Sequence, residues 1–400
     1  MRATFHLKTL TVAVAALSVA SVASAAGLDR SGQDINAFLQ DGLYAEASYT
    51  YIDGDVTGRD ASDNKINDIA ESYDFFRYGV KADIDDTFSI GVLYDEPFGA
   101  AADYSGNNNF IDQNPASPRN GEETQVEVRT ENITGILGAK LGANKNFQVY
   151  GGPVAQQVQA DVKLRGTAYE AANGYTANIS RDQDYGWLAG IAYSKPEIAL
   201  KAALTYRSEI EHTTNTAETY PLVANLPGYG ARGDSIEITT PESVNFDFQT
   251  GINPTTLATA KVRWVPWSDF SIVPSLYNDT SKLNPAYRPD GLSLVSYDDE
   301  QWQVELGLAK RLAPALAVSG TIGWDSGAGD PVTSLGPIEG YYSAGLGAKY
   351  NVTENWAVSA GGKYLWFGDA EGKTPTQNIV SNFEDNDGYV VGVKVSYQAQ

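Results

Sequence analysis

Cysteine is absent from the 400 residues, and the single methionine is the initiator. No disulfide, thiolate metal site or cysteine nucleophile can therefore exist. Basic residues are few: 28 Lys plus Arg stand against 50 Asp plus Glu, a formal net charge of −22. Nucleic-acid binding needs a basic footprint, so that class is excluded. Long apolar runs are also missing. Beyond the N-terminus no segment approaches the roughly 20 consecutive apolar residues of a membrane helix, and mean hydropathy is −0.30. What the chain does have is 24 Tyr, 7 Trp and 39 Gly. That is too aromatic for an acidic disordered chain. The length allows two or three soluble domains, or one large barrel.

The first 25 residues read as an export signal. Arg2 and Lys8 form a positive start, Leu10 to Ala20 is a short apolar run of small residues, and Ala23-Ser24-Ala25 is an A-x-A cleavage site. The expected mature chain begins at Ala26. Its charge is −24 once Arg2 and Lys8 leave, and His212 is its only histidine. An exported chain without membrane helices either stays soluble or enters a membrane as a β-barrel.

Period-two alternation decides between these. Phe76, Tyr78, Val80, Ala82 and Ile84 alternate with Arg77, Gly79, Lys81 and Asp83. Trp356, Val358, Ala360, Gly362, Tyr364 and Trp366 repeat the pattern, as do Tyr389, Val391, Val393, Val395 and Tyr397. One such run is equally a half-buried strand of a soluble sandwich. Across the set the apolar faces often begin and end on Tyr or Trp, which is the girdle of an outer-membrane barrel. Short turns near 85–87, 142–146, 194–197, 251–256, 310–314 and 351–354 alternate with long polar loops near 52–73, 96–123, 166–182, 212–241, 275–297, 326–339 and 367–386. These bounds give an antiparallel all-β barrel of 14 strands over 43–400, counting 257–274 once, where Pro266 and Pro274 either interrupt one long strand or separate two. Residues 26–42 do not alternate. Ile35, Phe38 and Leu39 are spaced as on a helix, and the segment reads as a short hatch tucked into the lumen, or else a frayed terminus.

The motifs along these strands resemble the outer-membrane hydrophobic-compound transporters of the FadL/TodX type. The third strand ends in Tyr94-Asp95-Glu96-Pro97-Phe98-Gly99, similar to that family's Pro-aromatic-Gly. The seventh carries Tyr206-Arg207-Ser208, similar to its Tyr-Arg-Ser run. Pro241-Glu242 followed by Trp264-Val265-Pro266-Trp267-Ser268-Asp269-Phe270 resembles its Pro-Glu start and Trp-Ser-x-Phe centre. The resemblance implies a barrel with an N-terminal hatch, passive uptake of long-chain fatty acids or hydrocarbons, and a lateral opening beside a distorted third strand. Two departures stand out. The hatch segment is short and lacks the family's Asn-Pro-Ala run, and the chain ends Tyr397-Gln398-Ala399-Gln400 rather than on an aromatic. Tyr397 is then the expected signal for the barrel assembly machinery.

The residues suggest where such a solute would be handled. Pro97 cannot donate a ladder hydrogen bond and Gly99 permits unusual dihedrals, so Pro97, Phe98 and Gly99 mark either a kink in the wall or an ordinary strand end. Within the polar loop 212–241, Leu222, Val223, Leu226 and Tyr229 form an apolar run. It is either a capture patch or packing on the rim. Arg232 can pair with a substrate carboxylate or remain a solvated loop charge. Asp53-Gly54-Asp55 and Asp385-Asn386-Asp387-Gly388 lack the spacing of a calcium loop and read as turns. Catalysis is not expected. Ser208 and His212 lie about 13 Å apart along a strand, too far for a nucleophile and its base. The expected partners are a hydrophobic small molecule, outer-membrane lipid and lipopolysaccharide, with no cofactor or metal, no nucleic acid and a monomeric state. The competing function is a general diffusion porin for small polar solutes.

Overall fold

The computed structural model describes residues 28–399, so the export signal lies outside the described residues. Alternation along each strand produces a closed antiparallel barrel of 14 strands. They are β1 (Leu43–Asp55), β2 (Tyr73–Asp83), β3 (Phe88–Asp95, resuming at Gly99–Asp103), β4 (Gln125–Leu141), β5 (Phe147–Lys163), β6 (Thr176–Lys195) and β7 (Leu200–Arg207, resuming at Ile210–Thr219). The second half is β8 (Ala231–Thr240, resuming at Ser243–Asn253), β9 (Thr256–Val265), β10 (Gln301–Ala313), β11 (Leu316–Asp325), β12 (Tyr341–Asn351), β13 (Trp356–Phe367) and β14 (Asp387–Ala399). Closure comes from β1 and β14, paired from Leu43↔Ala399 to Asp55↔Asp387. No sheet edge is left at the join, and the wall needs no covalent staple.

The two faces are inverted relative to a soluble protein. Phe76, Val80, Ile133, Leu137, Leu308, Ile322 and Leu346 point outward and are exposed, while Lys81, Thr134, Arg207, Arg263, Ser319 and Lys394 point inward and are buried. Aromatic residues meet in register near the outer end: Trp264 opposes Trp302, Trp324 opposes Tyr342, and Tyr342 opposes Trp366. At the other end Trp356 packs on Tyr397 at 5.0 Å and Phe147 on Tyr193 at 4.9 Å. Trp356 and Trp366 are ten residues apart on β13. That is about 34 Å along a strand, or roughly 25 Å of height at a 45° tilt, the thickness of an outer-membrane apolar band.

The strands depart from the sequence reading at three places. β9 stops at Val265 rather than continuing to 274, because Pro266 and Trp267 turn the chain inward and Pro274 starts the short helix α1 (Ser275–Ser281). Loop 212–241 is mostly a hairpin rising above the membrane, with only its tip irregular, because Thr-rich alternation there continues the barrel wall. β6 starts at Thr176 rather than 183. Above the wall, short strands at Gly58–Asp60, Lys65–Ile66, Val332–Thr333, Ala370–Lys373 and Ile379–Phe383 form a small sheet that caps the outer mouth. Beneath it the loops bury Tyr104, Phe110, Tyr169, Tyr175 and Trp267 in one apolar cluster.

Candidate transport path

The N-terminal segment is the centre of the lumen. Ile35, Phe38 and Leu39 are all buried, yet they sit on a turn, with Phe38 N–H donating to Ile35 O at 3.0 Å, rather than on a helix. The segment carries Asp29, Asp34 and Asp41, and inward basic residues meet each of them. Arg263 grips Asp29 through two hydrogen bonds of 2.8 Å, with the ion pair almost wholly buried. Lys261 reaches Asp34 at 2.7 Å, and Lys140 reaches Asp41 at 3.2 Å. Burial opposes ionisation of Asp34, but the charges of Lys261 and Arg77 outweigh it and hold the carboxyl below its usual range. Arg207 donates to Gln33 O at 3.2 Å, and Ser243 to Gln33 Oε1 at 2.8 Å. Polar inward faces of several strands thus specify one position for a segment with almost no regular structure.

That segment also completes the wall at the third strand. β3 breaks at Glu96-Pro97-Phe98. Its lower part pairs with β2 from Tyr78↔Tyr94 downward, whereas its upper part, Gly99–Asp103, pairs only with β4. The edge of β2 from Tyr73 to Arg77 pairs with β1 but has no ladder to β3. The gap is closed above by the bridge Ala70↔Ala102. A window therefore stands in the wall between β2 and β3. Behind it the hatch replaces the missing partner. Arg30 N–H donates to Pro97 O at 2.7 Å, Gly99 N–H donates to Leu28 O at 2.7 Å, and Asp29 bridges Phe98. Arg30 fills the window itself, its guanidinium 4.1 Å from the Tyr73 ring centre. Burial lowers its pKa from the usual value. A Cβ on Gly99 would stand 2.4 Å from the guanidinium carbon, so a larger residue there would have to push the Arg30 side chain aside. Outside Arg30 lies a cavity of about 600 Å³ lined by Tyr73, Glu96, Ala101, Val126 and Arg129 among others.

The sequence-derived residues fall into three groups. Pro97, Phe98 and Gly99 are all buried at this bend, and Phe98 packs edge-on against Trp267 at 5.4 Å. Trp267 is fully buried and donates to Gln301 Oε1 at 2.8 Å, so two separated motifs meet at one point. Tyr206 and Trp264 belong to the outer girdle instead. Tyr206 donates to Glu242 and stands 5.1 Å from Trp187, and Trp264 donates to Glu300 at 2.8 Å. Arg207 faces the hatch, and Ser208 marks the break in β7. The loop run divides: Val223 is buried and Tyr229 half-buried, whereas Leu222 and Leu226 are 62% and 44% exposed. Arg232 is paired with Asp279 at 2.6 Å. Asp53 accepts from Tyr389 at 3.0 Å, and Asn386 ties down Thr57. Among the described residues no group of three acids or histidines is placed to hold a metal ion. Sequence reasoning missed Asp29, Arg30 and Arg263. Their signal was present as an acidic segment opposite inward-facing basic residues.

The sequence profile of the outer membrane protein transport protein family (OMPP1/FadL/TodX) matches residues 44–399. The chain belongs to this family. It is an outer-membrane transport protein, and its family is one of transport channels. Its fold is that of a Pseudomonas aeruginosa FadL homologue (TM-score 0.70, 15% identity, 97% of this chain and 98% of the other covered). The P. putida toluene transporter TodX is also similar (TM-score 0.63, 12% identity, 91% and 92% covered). So is the Ralstonia pickettii toluene transporter TbuX (TM-score 0.62, 10% identity, 99% and 100% covered). No curated protein matches the sequence.

Proposed function

We propose that this family member carries hydrophobic molecules passively across the outer membrane, taking them in at the outer loops and releasing them sideways through the window between β2 and β3. The observation that carries the reading is the bend of β3, whose missing wall partner is supplied by a removable segment rather than by a strand. A solute that leaves sideways never crosses the aqueous space below, where each methylene would cost about 0.8 kcal/mol to hydrate. Leu222 and Leu226 supply exposed apolar surface for capture, and the toluene transporters of similar fold support an apolar cargo. A diffusion porin needs an open wet lumen, and here the hatch and the capping loops fill it. Lipopolysaccharide and lipid surround the barrel in this reading, the assembly machinery recognises the Tyr397 end, and the protein works as a monomer. Uptake of radiolabelled palmitate and toluene by cells, set against sugar flux in liposome swelling, tests it. Sugar flux without uptake of either apolar probe would refute it.

A further inference from the structure

The wall has a second irregularity, between β6 and β7. Below it the strands pair from Lys195↔Leu200 to Leu188↔Arg207. Above it they pair from Ile179↔Thr216 to Thr176↔Thr219. Between these ladders, residues 180–187 and 208–215 do not pair with each other, although 182–187 keep partners in β5 and 210–215 keep partners in β8. The cause is two one-residue slips in opposite places. β7 slips at Ser208-Glu209, so that buried residues change from Thr205 and Arg207 to Ile210, His212 and Thr214. β6 slips near Ser180, where its register against β5 shifts. Between the slips the two strands are out of phase. Continuing the ladder would set inward Ile210 against exposed Tyr185, and paired residues must share a face, so no ladder can form. Beyond the second slip the phase agrees again and pairing resumes.

Side chains close this seam. At its foot Trp187 N–H donates to Ser208 Oγ at 3.0 Å, and Ser208 N–H donates to Trp187 O at 2.9 Å. Midway His212 Nδ1 meets Asp182 at 3.3 Å, and above it Thr214 Oγ1 donates to Ser180 O at 2.6 Å. Ile210 fills the space over Gly186, where a Cβ would lie 2.6 Å from Ile210 Cγ1. Inside, Ile210 belongs to the apolar cluster of Leu188, Val154, Tyr150 and the hatch residue Phe38. Outside, Tyr185 and Trp187 are exposed, and Trp187 stands in the outer girdle beside Tyr206. An apolar path thus leads from the hatch through a break in the ladder to the outer lipid interface. The seam opens at this interface, with its foot level with the outer girdle and the rest rising above it.

We infer that the β6–β7 seam is a second lateral passage for hydrophobic solutes, gated by Ile210. The inference rests on lateral release as the protein's function. It is tested in cells carrying the full chain with Gly186→Cys and Ser208→Cys. A Cβ at 186 stands 2.7 Å from Ser208 Oγ, and the chain has no other cysteine, so oxidation staples the seam at one place. Heat-modifiable gel mobility verifies the folded barrel in both redox states. Oxidation is expected to reduce uptake of radiolabelled palmitate or toluene, and reductant to restore it. Ile210→Ala, which enlarges the gate without a staple, is expected to speed uptake. Equal uptake in the oxidised and reduced states, in cells whose wild-type protein transports the probe, would overturn the seam and leave the β2–β3 window standing. Wild-type protein that transports neither probe would overturn the function itself.

Discussion

Removing Asp29 should release the hatch without opening the barrel. Its carboxylate is wholly buried and takes both hydrogen bonds of Arg263 at 2.8 Å, with Gln303 adding a third at 3.1 Å. In Asp29→Ala the guanidinium of Arg263 keeps only Asn245 Oδ1, at 2.8 Å. Breaking a buried pair by deleting one partner costs about 3–5 kcal/mol, most of it the penalty of the charge left behind. The β-ladders of the wall do not pass through Asp29, so the cost falls on hatch docking rather than on the barrel. At ~1.4 kcal/mol per tenfold, even the lower figure raises the population of the undocked hatch about 100-fold. Hydrogen exchange reads this directly. The amides of Arg30 and Gly99 are bonded across the hatch–bend interface and exchange only when it parts. Their exchange should accelerate by about that factor, while amides in β12 and β13 keep their wild-type protection. Unchanged exchange at Arg30 and Gly99 would refute the claim that this ion pair holds the hatch.

Other perturbations have separate readouts. Gly99→Ala places a Cβ where the Arg30 guanidinium now lies, so that side chain must shift, and Arg30 should become open to tryptic cleavage that the wild type resists. Trp267→Ala removes the ring that joins Phe98, Phe270 and Tyr297, and should cost about 3–5 kcal/mol in denaturant unfolding. Leu222→Asp with Leu226→Asp should weaken solute uptake while leaving gel mobility unchanged; equal uptake would remove capture from that loop. In the outer loops, burial and the charges of Asp330 and Asp325 push Glu339 up to about 7. A carboxyl raised in the folded state is least harmful while protonated, so this group's penalty grows as pH rises from its unfolded value of 4.5 to about 7. Glu339→Gln should flatten that part of the Tm–pH curve and raise Tm at pH 8.

Much of the wall was legible because a barrel strand is a local object. Its two faces alternate residue by residue, and the Tyr and Trp that end each outward face mark the membrane boundaries. The places where the reading ran short are places where partners are distant in sequence. Pro266 ends β9 because Trp267 must turn inward to meet Phe98, more than a hundred residues earlier, and no local pattern records that contact. Loop 212–241 reads as a long polar loop because its Thr-rich alternation lacks apolar outward residues. Above the membrane those positions face water, so the wall continues in polar form. Ile35, Phe38 and Leu39 carry helical spacing but lie on a turn, since the many basic and amide groups of the lumen, rather than local propensity, fix the hatch. The bend at Pro97 and Gly99 was visible as chemistry. That its missing partner is Arg30 and its neighbours was not, although the acids of 29–41 and the inward basic residues were both in plain view.

The most direct test of lateral release fastens the hatch to the bend. Asp29 and Phe98 form an antiparallel bridge without mutual hydrogen bonds, the closely spaced kind of pair, and the chain offers no competing thiol. Cells carrying Asp29→Cys with Phe98→Cys can be assayed for radiolabelled palmitate uptake in the oxidised state and again after reduction. The account predicts that oxidation lowers uptake to the share carried by the β6–β7 seam and that reduction restores it within the same cells. Uptake that proceeds equally with the hatch locked to the bend would contradict it.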